Sequence, residues 1–277
     1  MNVVNYTKQD QEQIISAFVK RFKNIKRILI LLIVLLIISL FITVIWLGVE
    51  GTNRLKVHTI GIALALGIAG IKLSLDKRFL KDFTAIYNEG CNPILALAIV
   101  DRIKSYRTVF KSYKITFLLA LGRNEEAKQI LDTLMLRSKD NVKITVFEHE
   151  LLQFLYHDAK KDIESALEIL EKLEKLVDET KIEKHASLGY IISTMRASIA
   201  VLQADYPQAK QLYLHLLETR TEMITKVSCH YHLGYIAIQL NNLKEAKERL
   251  QYVITNGNTL NQVKLAKQLM EAHKLFD

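Results

Sequence analysis

The sequence predicts an all-α protein in which a two-helix transmembrane hairpin is followed by a solenoid of about five helix pairs and a C-terminal capping helix. Three observations carry that expectation. Only 2 Pro and 10 Gly occur in 277 residues, far fewer than the turns of a β-rich or loop-built protein require. Residues 28–49 form an unbroken apolar run. Beyond residue 76 the chain is a succession of amphipathic segments separated by short polar turns, the pattern of helices that bury their faces only by stacking.

Residues 1–27 read as a basic, amphipathic N-terminal segment. Ile14, Ile15, Phe18, Val19, Phe22 and Ile25 follow helical spacing, with Lys20, Arg21, Lys23 and Lys26 around the remaining face. Two arrangements fit this pattern. The segment either lies on the inner leaflet before turning into the bilayer or extends the first span into the cytoplasm and touches the soluble domain.

Residues 28–49, ILILLIVLLIISLFITVIWLGV, are interrupted only by Ser39 and Thr43. A helix of 22 residues, at about 1.5 Å rise each, crosses a hydrocarbon core of about 30 Å. Trp46 stands near its far end, where an amphipathic ring suits the headgroups. The run is too long for the core of a cleaved signal peptide, and Trp46-Leu47-Gly48-Val49-Glu50 offers no small-residue cleavage site.

Residues 50–56 form a short polar link, and 57–75, VHTIGIALALGIAGIKLSL, a second and weaker span. His58 and Lys72 trim its fully apolar part to Thr59 through Ile71, and a snorkelling Lys72 restores the length. Gly61, Ala65 and Ala69 fall on one stripe and Ala63 and Gly67 on another, a spacing that lets helix backbones approach closely in lipid. The nearest partner for that face is the first span; the same face could also carry homo-oligomer contacts. The competing assignment is a buried or interfacial helix of the soluble domain.

The 38 Lys+Arg against 29 Asp+Glu give a net charge of +9, which raises nucleic acid or an anionic membrane as a partner. The distribution favours the membrane. Residues 1–27 hold six cations against two carboxylates and residues 72–123 hold ten against four, while residues 124–277 carry a small negative excess. Arg21, Lys26 and Arg27 precede the first span, Lys72, Lys77 and Arg78 follow the second, and with Trp46 they are the expected membrane-interface residues. The link carries only Arg54 and Lys56 against Glu50. The positive-inside rule therefore places the N-terminus and the C-terminal domain on the cytoplasmic face of a multi-pass protein of the cell membrane, of the bacterial inner-membrane type. No nucleic acid is expected. If 57–75 does not cross, the solenoid lies on the extracytoplasmic side and a role in envelope assembly or secretion follows.

Residues 76–256 contain the repeats. Five segments place an alanine ahead of apolar residues four and seven positions on: Ala96/Val100/Ile103, Ala127/Leu131/Leu134, Ala166/Leu170/Leu173, Ala209/Tyr213/Leu216 and Ala246/Leu250/Val253. Before each alanine comes a short polar turn: Cys91-Asn92-Pro93, Gly122 to Glu126, Lys161-Asp162, Asp205-Tyr206-Pro207 and Asn241 to Glu245. The segment from His230 through Leu233-Gly234, Asn241, Leu243 and Ala246 to Leu250 resembles the tetratricopeptide repeat family, with a Leu-Gly pair in the first helix, a turn, and an alanine in the second. Leu121-Gly122-Arg-Asn-Glu-Glu-Ala127 keeps the family's turn glycine, and Asp205 to Ala209 its turn and second helix. The segments around Ala96 and Ala166 are degenerate, and His230 and Ala237 stand where the family has aromatic or larger residues. Successive alanines are 31, 39, 43 and 37 residues apart rather than evenly spaced. The resemblance implies helix pairs packed through Ala96, Ala127, Ala166, Ala209, Gly234 and Ala246. Residues 257–277 read as the capping helix, with Val263, Leu265, Ala266, Leu269, Met270 and Leu275 on its apolar face.

No glycine-rich phosphate loop, nucleophile elbow, H-E-x-x-H or C-x-x-C occurs, so neither catalysis nor a cofactor is expected. His230 and His232 beside Cys229 are two apart on one helix and point to different faces; no metal site is expected there, nor at His149 between Glu148 and Glu150. Cys91 and Cys229 read as buried thiols. The run 163–177, IESALEILEKLEKLV, spans barely two heptads and reads as a second helix of a repeat rather than a coiled coil. The family resemblance implies a protein or peptide partner held by first-helix residues. Register places Ser112, Thr116, Leu151, Leu155, Thr194, Ser198, Tyr231 and Tyr235 on that face. They do not reproduce the family's Lys/Asn carboxylate clamp; Tyr231 and Tyr235 are the expected aromatic anchors, the alternative for each being a simply packed ring.

Overall fold

The computed structural model describes residues 7–47, 52–103, 108–134, 142–180 and 186–276. Among them are twelve α-helices and no strand: α1 Lys8–Leu47, α2 Thr52–Asn88, α3 Pro93–Ile103, α4 Thr108–Ala120, α5 Asn124–Leu131, α6 Val142–Lys160, α7 Ile163–Thr180, α8 Ala186–Leu202, α9 Tyr206–Thr219, α10 Met223–Gln239, α11 Leu243–Asn256 and α12 Asn261–Ala272. The chain divides into two compact units, residues 6–85 and residues 86–277 together with 1–5.

In the first unit α1 and α2 are long and apolar enough to cross a membrane. Their apolar stretches are almost wholly exposed, from Ile28 to Ile45 and from Ile60 to Leu73. The helices do not stop at the ends of those stretches. α1 has 40 residues, about 60 Å at 1.5 Å each, twice a hydrocarbon core. The amphipathic N-terminal segment is therefore the first half of α1, and no break separates it from the apolar run. Ile15, Val19, Phe22 and Ile25 on it are buried, and the segment continues without a break into the helix that carries the apolar run.

Side-chain pairing fixes the α1–α2 register. Leu40 meets Gly61, Phe22 meets Phe79 with ring centroids 5.5 Å apart, and Arg21 donates to Asp82 at 2.6 Å. One number falls as the other rises, so the helices are antiparallel. A methyl group at Gly61 would come within 2.9 Å of Leu40 Cδ2, so this end of the small-residue face is taken up inside the chain. Gly67 and Gly70 have open space where a side chain would begin. The Trp46 side chain, residues 48 and 49 of the first apolar run, and residues 50 and 51 of the link lie outside the described residues.

In the second unit each helix packs on the next in chain order from α3 to α12. The core forms in layers that each straddle three helices. Phe154, Leu170, Leu173 and Met195 join α6, α7 and α8; Ala197, Tyr213, Cys229 and Leu233 join α8, α9 and α10; Ala237, Leu250, Val253 and Met270 join α10, α11 and α12.

One turn conformation recurs five times among the described residues. Cys91, Gly122, Lys161, Ala204 and Asn241 all have φ between 47° and 73°, the left-handed region that ends a helix. The following residue starts the next helix: Asn92, Arg123, Asp162, Asp205 or Asn242. Four of these five accept a hydrogen bond on the side chain from the backbone N–H three residues on, at 3.0–3.3 Å. Arg123 has no oxygen to offer and instead grips Glu126 through two nitrogens at 2.6 Å. Four residues past each cap stands an alanine, Ala96, Ala127, Ala166, Ala209 or Ala246, whose N–H donates to the cap carbonyl. All five alanines are fully buried. Gly234 lies against α11, where a methyl would fall 2.8 Å from Leu250 Cδ2. α5 is the short member, ending at Leu131, so Leu134 lies past the helix.

The second unit also makes contacts between residues far apart in the chain. Thr259 N–H donates to the Cys91 carbonyl at 3.3 Å, Thr259 Oγ1 to Asn92 Oδ1 at 3.1 Å, and Asn258 Nδ2 to the Gly90 carbonyl at 2.9 Å. Gly122, with φ +73°, is pressed against the Asn261 amide. Cys91 belongs to the same core cluster as Leu250 and Met270.

Two substitutions in one turn should act in opposite directions. Ala204 holds a left-handed backbone while exposed, so Ala204→Gly should raise stability by about 0.5–1 kcal/mol. Asp205→Ala removes the cap and should cost about 1 kcal/mol. Thermal unfolding of the full-length protein in detergent, followed by circular dichroism at 222 nm, checks both. Gly234→Ala, forced against Leu250, should cost about 1–3 kcal/mol in the same assay.

Candidate functional site

The first helices of the pairs carry the residues expected to meet a partner, and none of the eight is fully exposed. Ser112 and Ser198 are buried, and Thr116, Leu151, Leu155, Thr194, Tyr231 and Tyr235 are half-buried. Thr116 and Thr194 donate their hydroxyls back to the carbonyls four residues earlier, at 3.1 and 2.9 Å. Tyr87, at the end of α2, packs its ring 5.0 Å from Phe117 and against the α10–α12 core. Burial pushes its hydroxyl far up. Own side chains thus occupy much of the face that register assigns to a ligand.

The two tyrosines on α10 differ in setting. Tyr231 packs against the α10–α12 core and meets the His232 ring edge-on at 5.3 Å; burial pushes its hydroxyl up to about 12. Tyr235 meets Tyr206 of α9 edge-on at 6.4 Å. Tyr206 in turn reaches Gln239 Oε1 at 3.5 Å. This second pair bridges adjacent helix pairs and keeps part of both rings in solvent.

A polar group that the sequence reading did not single out lies between α6, α8, α9 and α10. Ser198 Oγ donates to Asp158 Oδ1 through a short hydrogen bond. Tyr213, 2% exposed, is engaged with Ser198, and its pKa is raised by burial and then by the Asp158 charge. The Tyr213 ring stacks on His232, with centroids 4.6 Å apart and planes within 6°. Burial drives the Asp158 carboxyl up and is only partly opposed by Ser198. Burial also pushes His232 down to about 4. His230, stacked at 3.8 Å on Tyr252, is likewise pushed down to about 4 by burial, then by Arg249 and Lys226. Beside the group, Tyr190 and Thr225 share a hydrogen bond of 2.9 Å between α8 and α10.

Register gives the signal that could have found Asp158. Three residues before each left-handed turn residue stand Asn88, Leu119, Asp158, Val201 and Ile238. Asp158 is the one carboxylate in a position that is otherwise apolar or amide. Chemically the group is a hydrogen-bonded set of Tyr213, Ser198 and Asp158 with the His232 ring stacked on Tyr213. Among the described residues no three His, Cys, Asp or Glu side chains are grouped as metal ligands would be. Cys91 and Cys229 are both buried, and burial pushes each thiol up to about 12.

A shallow groove of about 500 Å³ runs between the start of α3 and α12, lined by Ile94, Thr259, Leu260, Val263, Lys264 and Lys267 among others. The expected interface cations Arg21, Lys26 and Arg27 stand on α1 and Lys72, Lys77 and Arg78 on α2, flanking the exposed apolar stretches. Lys26 Nζ lies 4.8 Å from the Phe22 ring centroid. No family model, curated protein or solved structure matches the chain.

The histidines predict a pH dependence. A buried His with a folded pKa near 4 stays neutral while its unfolded counterpart, near 6.5, takes up a proton. Stability is full above that value and falls as pH drops from about 6.5 to about 4, by up to about 1.4 kcal/mol per pH unit for each histidine. His232→Phe, which keeps the stack on Tyr213, should flatten the slope in urea unfolding between pH 7 and pH 4.5. Asp158 has the opposite sign: a raised carboxyl withdraws stability as pH rises past its unfolded pKa. Asp158→Asn should therefore raise the urea midpoint at pH 7.

Proposed function

We propose that the protein is a membrane-anchored interaction scaffold. In this reading α1 and α2 cross the cell membrane as a hairpin, and the helix pairs form a tetratricopeptide-like solenoid on the cytoplasmic side that recruits or assembles a protein partner. The observation that carries the reading is the coexistence of two helices with exposed apolar stretches and a five-fold turn that ends each time on a buried alanine. Exposed apolar surface of that extent requires a cover, and a lipid bilayer matches its length. The repeated turn supports helix pairs stacked as in an array. Both apolar stretches are exposed, which favours two crossings over one. The flanking cations then favour a cytoplasmic array.

The role proposed is binding rather than catalysis. Two polar pairs inside the second unit are spent on one another: Ser198 on Asp158 and Tyr190 on Thr225. With Tyr87 packed within, the partner would meet the array at the partly exposed aromatic edge made by Tyr206 and Tyr235, beside Tyr231. Aromatic side chains of this kind anchor interfaces well.

The native thiols are buried, which makes them silent in a topology experiment. Glu248→Cys places a thiol on the exposed side of α11. An impermeant maleimide applied to intact cells should leave it unlabelled and should label it after permeabilisation; labelling in intact cells would put the array outside. A photo-crosslinking residue at position 235 in the full-length protein should capture a protein other than itself. Capture of the same chain alone would replace recruitment by self-assembly.

A further inference from the structure

The α1–α2 pair carries a groove of about 370 Å³ whose lining divides by chemistry. Lys20, Arg21 and Asn24 make one part; Ile25, Ile28 and Leu75 make the other, with Ala17 at the polar end. The α1 members fall at 17, 20, 21, 24, 25 and 28, a single helical face. No carboxylate lines the groove.

Depth and charge point to one occupant. Ile28 is 45% exposed and begins the exposed apolar stretch of α1. Asn24 lies about 6 Å and Lys20 about 12 Å before it along the axis, while the headgroup zone beyond the hydrocarbon is about 5–8 Å deep on each side. Asn24 is then at the level of lipid phosphates, and the long Lys20 and Arg21 side chains reach that level from just beyond it. Arg21 is fixed in place by Asp82 at 2.6 Å and stands 6.0 Å from the Phe79 ring centroid. Its guanidinium has five N–H donors, and the bond to Asp82 runs through Nη1. Among the described residues no carboxylate is paired with Lys20.

We propose that this groove is a binding site for one anionic phospholipid. Lys20 and Arg21 pair with the headgroup phosphate, the Asn24 amide donates to a phosphate or glycerol oxygen, and an acyl chain runs along Ile28 and Leu75. With Arg21 already bonded to Asp82, the charge of Lys20 leaves the groove net cationic, which favours a lipid of net negative charge over a zwitterion. The site rests on the reading that α1 and α2 cross the membrane.

Native mass spectrometry of the detergent-purified full-length protein, with phosphatidylglycerol or phosphatidylcholine added, tests it. Phosphatidylglycerol should be retained in preference. Lys20→Ala should lower that retention about tenfold, the loss of a charge-assisted hydrogen bond, whereas Lys23→Ala, which removes an equal charge outside the groove, should change it less than twofold. Circular dichroism confirms that both variants keep their helices. Equal loss in the two variants, equal retention of the two lipids, or displacement of phosphatidylglycerol by inorganic phosphate would each overturn the site. Carbonate extraction of cell membranes separates this failure from the broader one. A protein released by carbonate does not cross the membrane, and both readings fall; a protein that stays in the membrane but is unselective loses only the lipid site.

Discussion

Close approach of two helices at a buried alanine is the constraint on which the second unit depends. A turn of two residues, one left-handed and one capping, delivers the chain into its next helix with the alanine four positions along. Each of these alanines is fully buried, and at Gly234, facing α11, the neighbouring helix leaves room for a hydrogen only. The same turn recurs at each of the five alanines. The larger apolar residues that follow, such as Leu170, Leu173 and Leu250, then fill the space toward the adjacent helices. The stacked His230–Tyr252 and Tyr213–His232 pairs occupy positions that this spacing has already fixed.

Much of this was legible in the residues. The five alanines with their preceding polar turns are visible in the sequence, and the caps Asn92, Asp162, Asp205 and Asn242 are residue types whose short side chains bond the first turn of a helix. The left-handed positions were not legible at three of the five turns. Gly122 and Asn241 suit that backbone, whereas Cys91, Lys161 and Ala204 do not, and only the surrounding helices hold them there. The polar group around Asp158 was hidden for another reason. Its members lie on four helices, and no local spacing connects residues 158, 198, 213 and 232. The expected face of first-helix residues was visible as a register, but how far neighbouring side chains cover it depends on contacts such as Tyr87 with Phe117, which no periodicity encodes.

The first unit shows the opposite balance. Hydropathy located both apolar stretches, yet the helices that contain them run far past the hydrocarbon limits. Outside those stretches the pair is held by a different chemistry. Phe18 and Phe22 pack on Phe79, which stacks with Phe83 at 6.3 Å, and the Arg21–Asp82 pair lies alongside. That ion pair is largely exposed, worth at most about 1 kcal/mol in general, so it selects register more than it adds stability. Phe22, Phe79 and Phe83 are buried and, with the half-buried Phe18, supply the cohesion. Basic residues around them leave the same stretch of α1 cationic while its aromatic side joins α2.

The hydrogen bonds from Asn258 and Thr259 back to Gly90, Cys91 and Asn92 change how the second unit can be assembled. In an open row of repeats every contact is between sequence neighbours, and order can spread outward from any point. Here about 167 residues separate the partners, and a loop of that length must close before the Cys91 cluster is complete. Such contacts slow folding and tie the two ends of the row into one cooperative transition. A nascent chain could stack its early pairs as they emerge, but the turn after α2 would stay half-covered until α12 arrived.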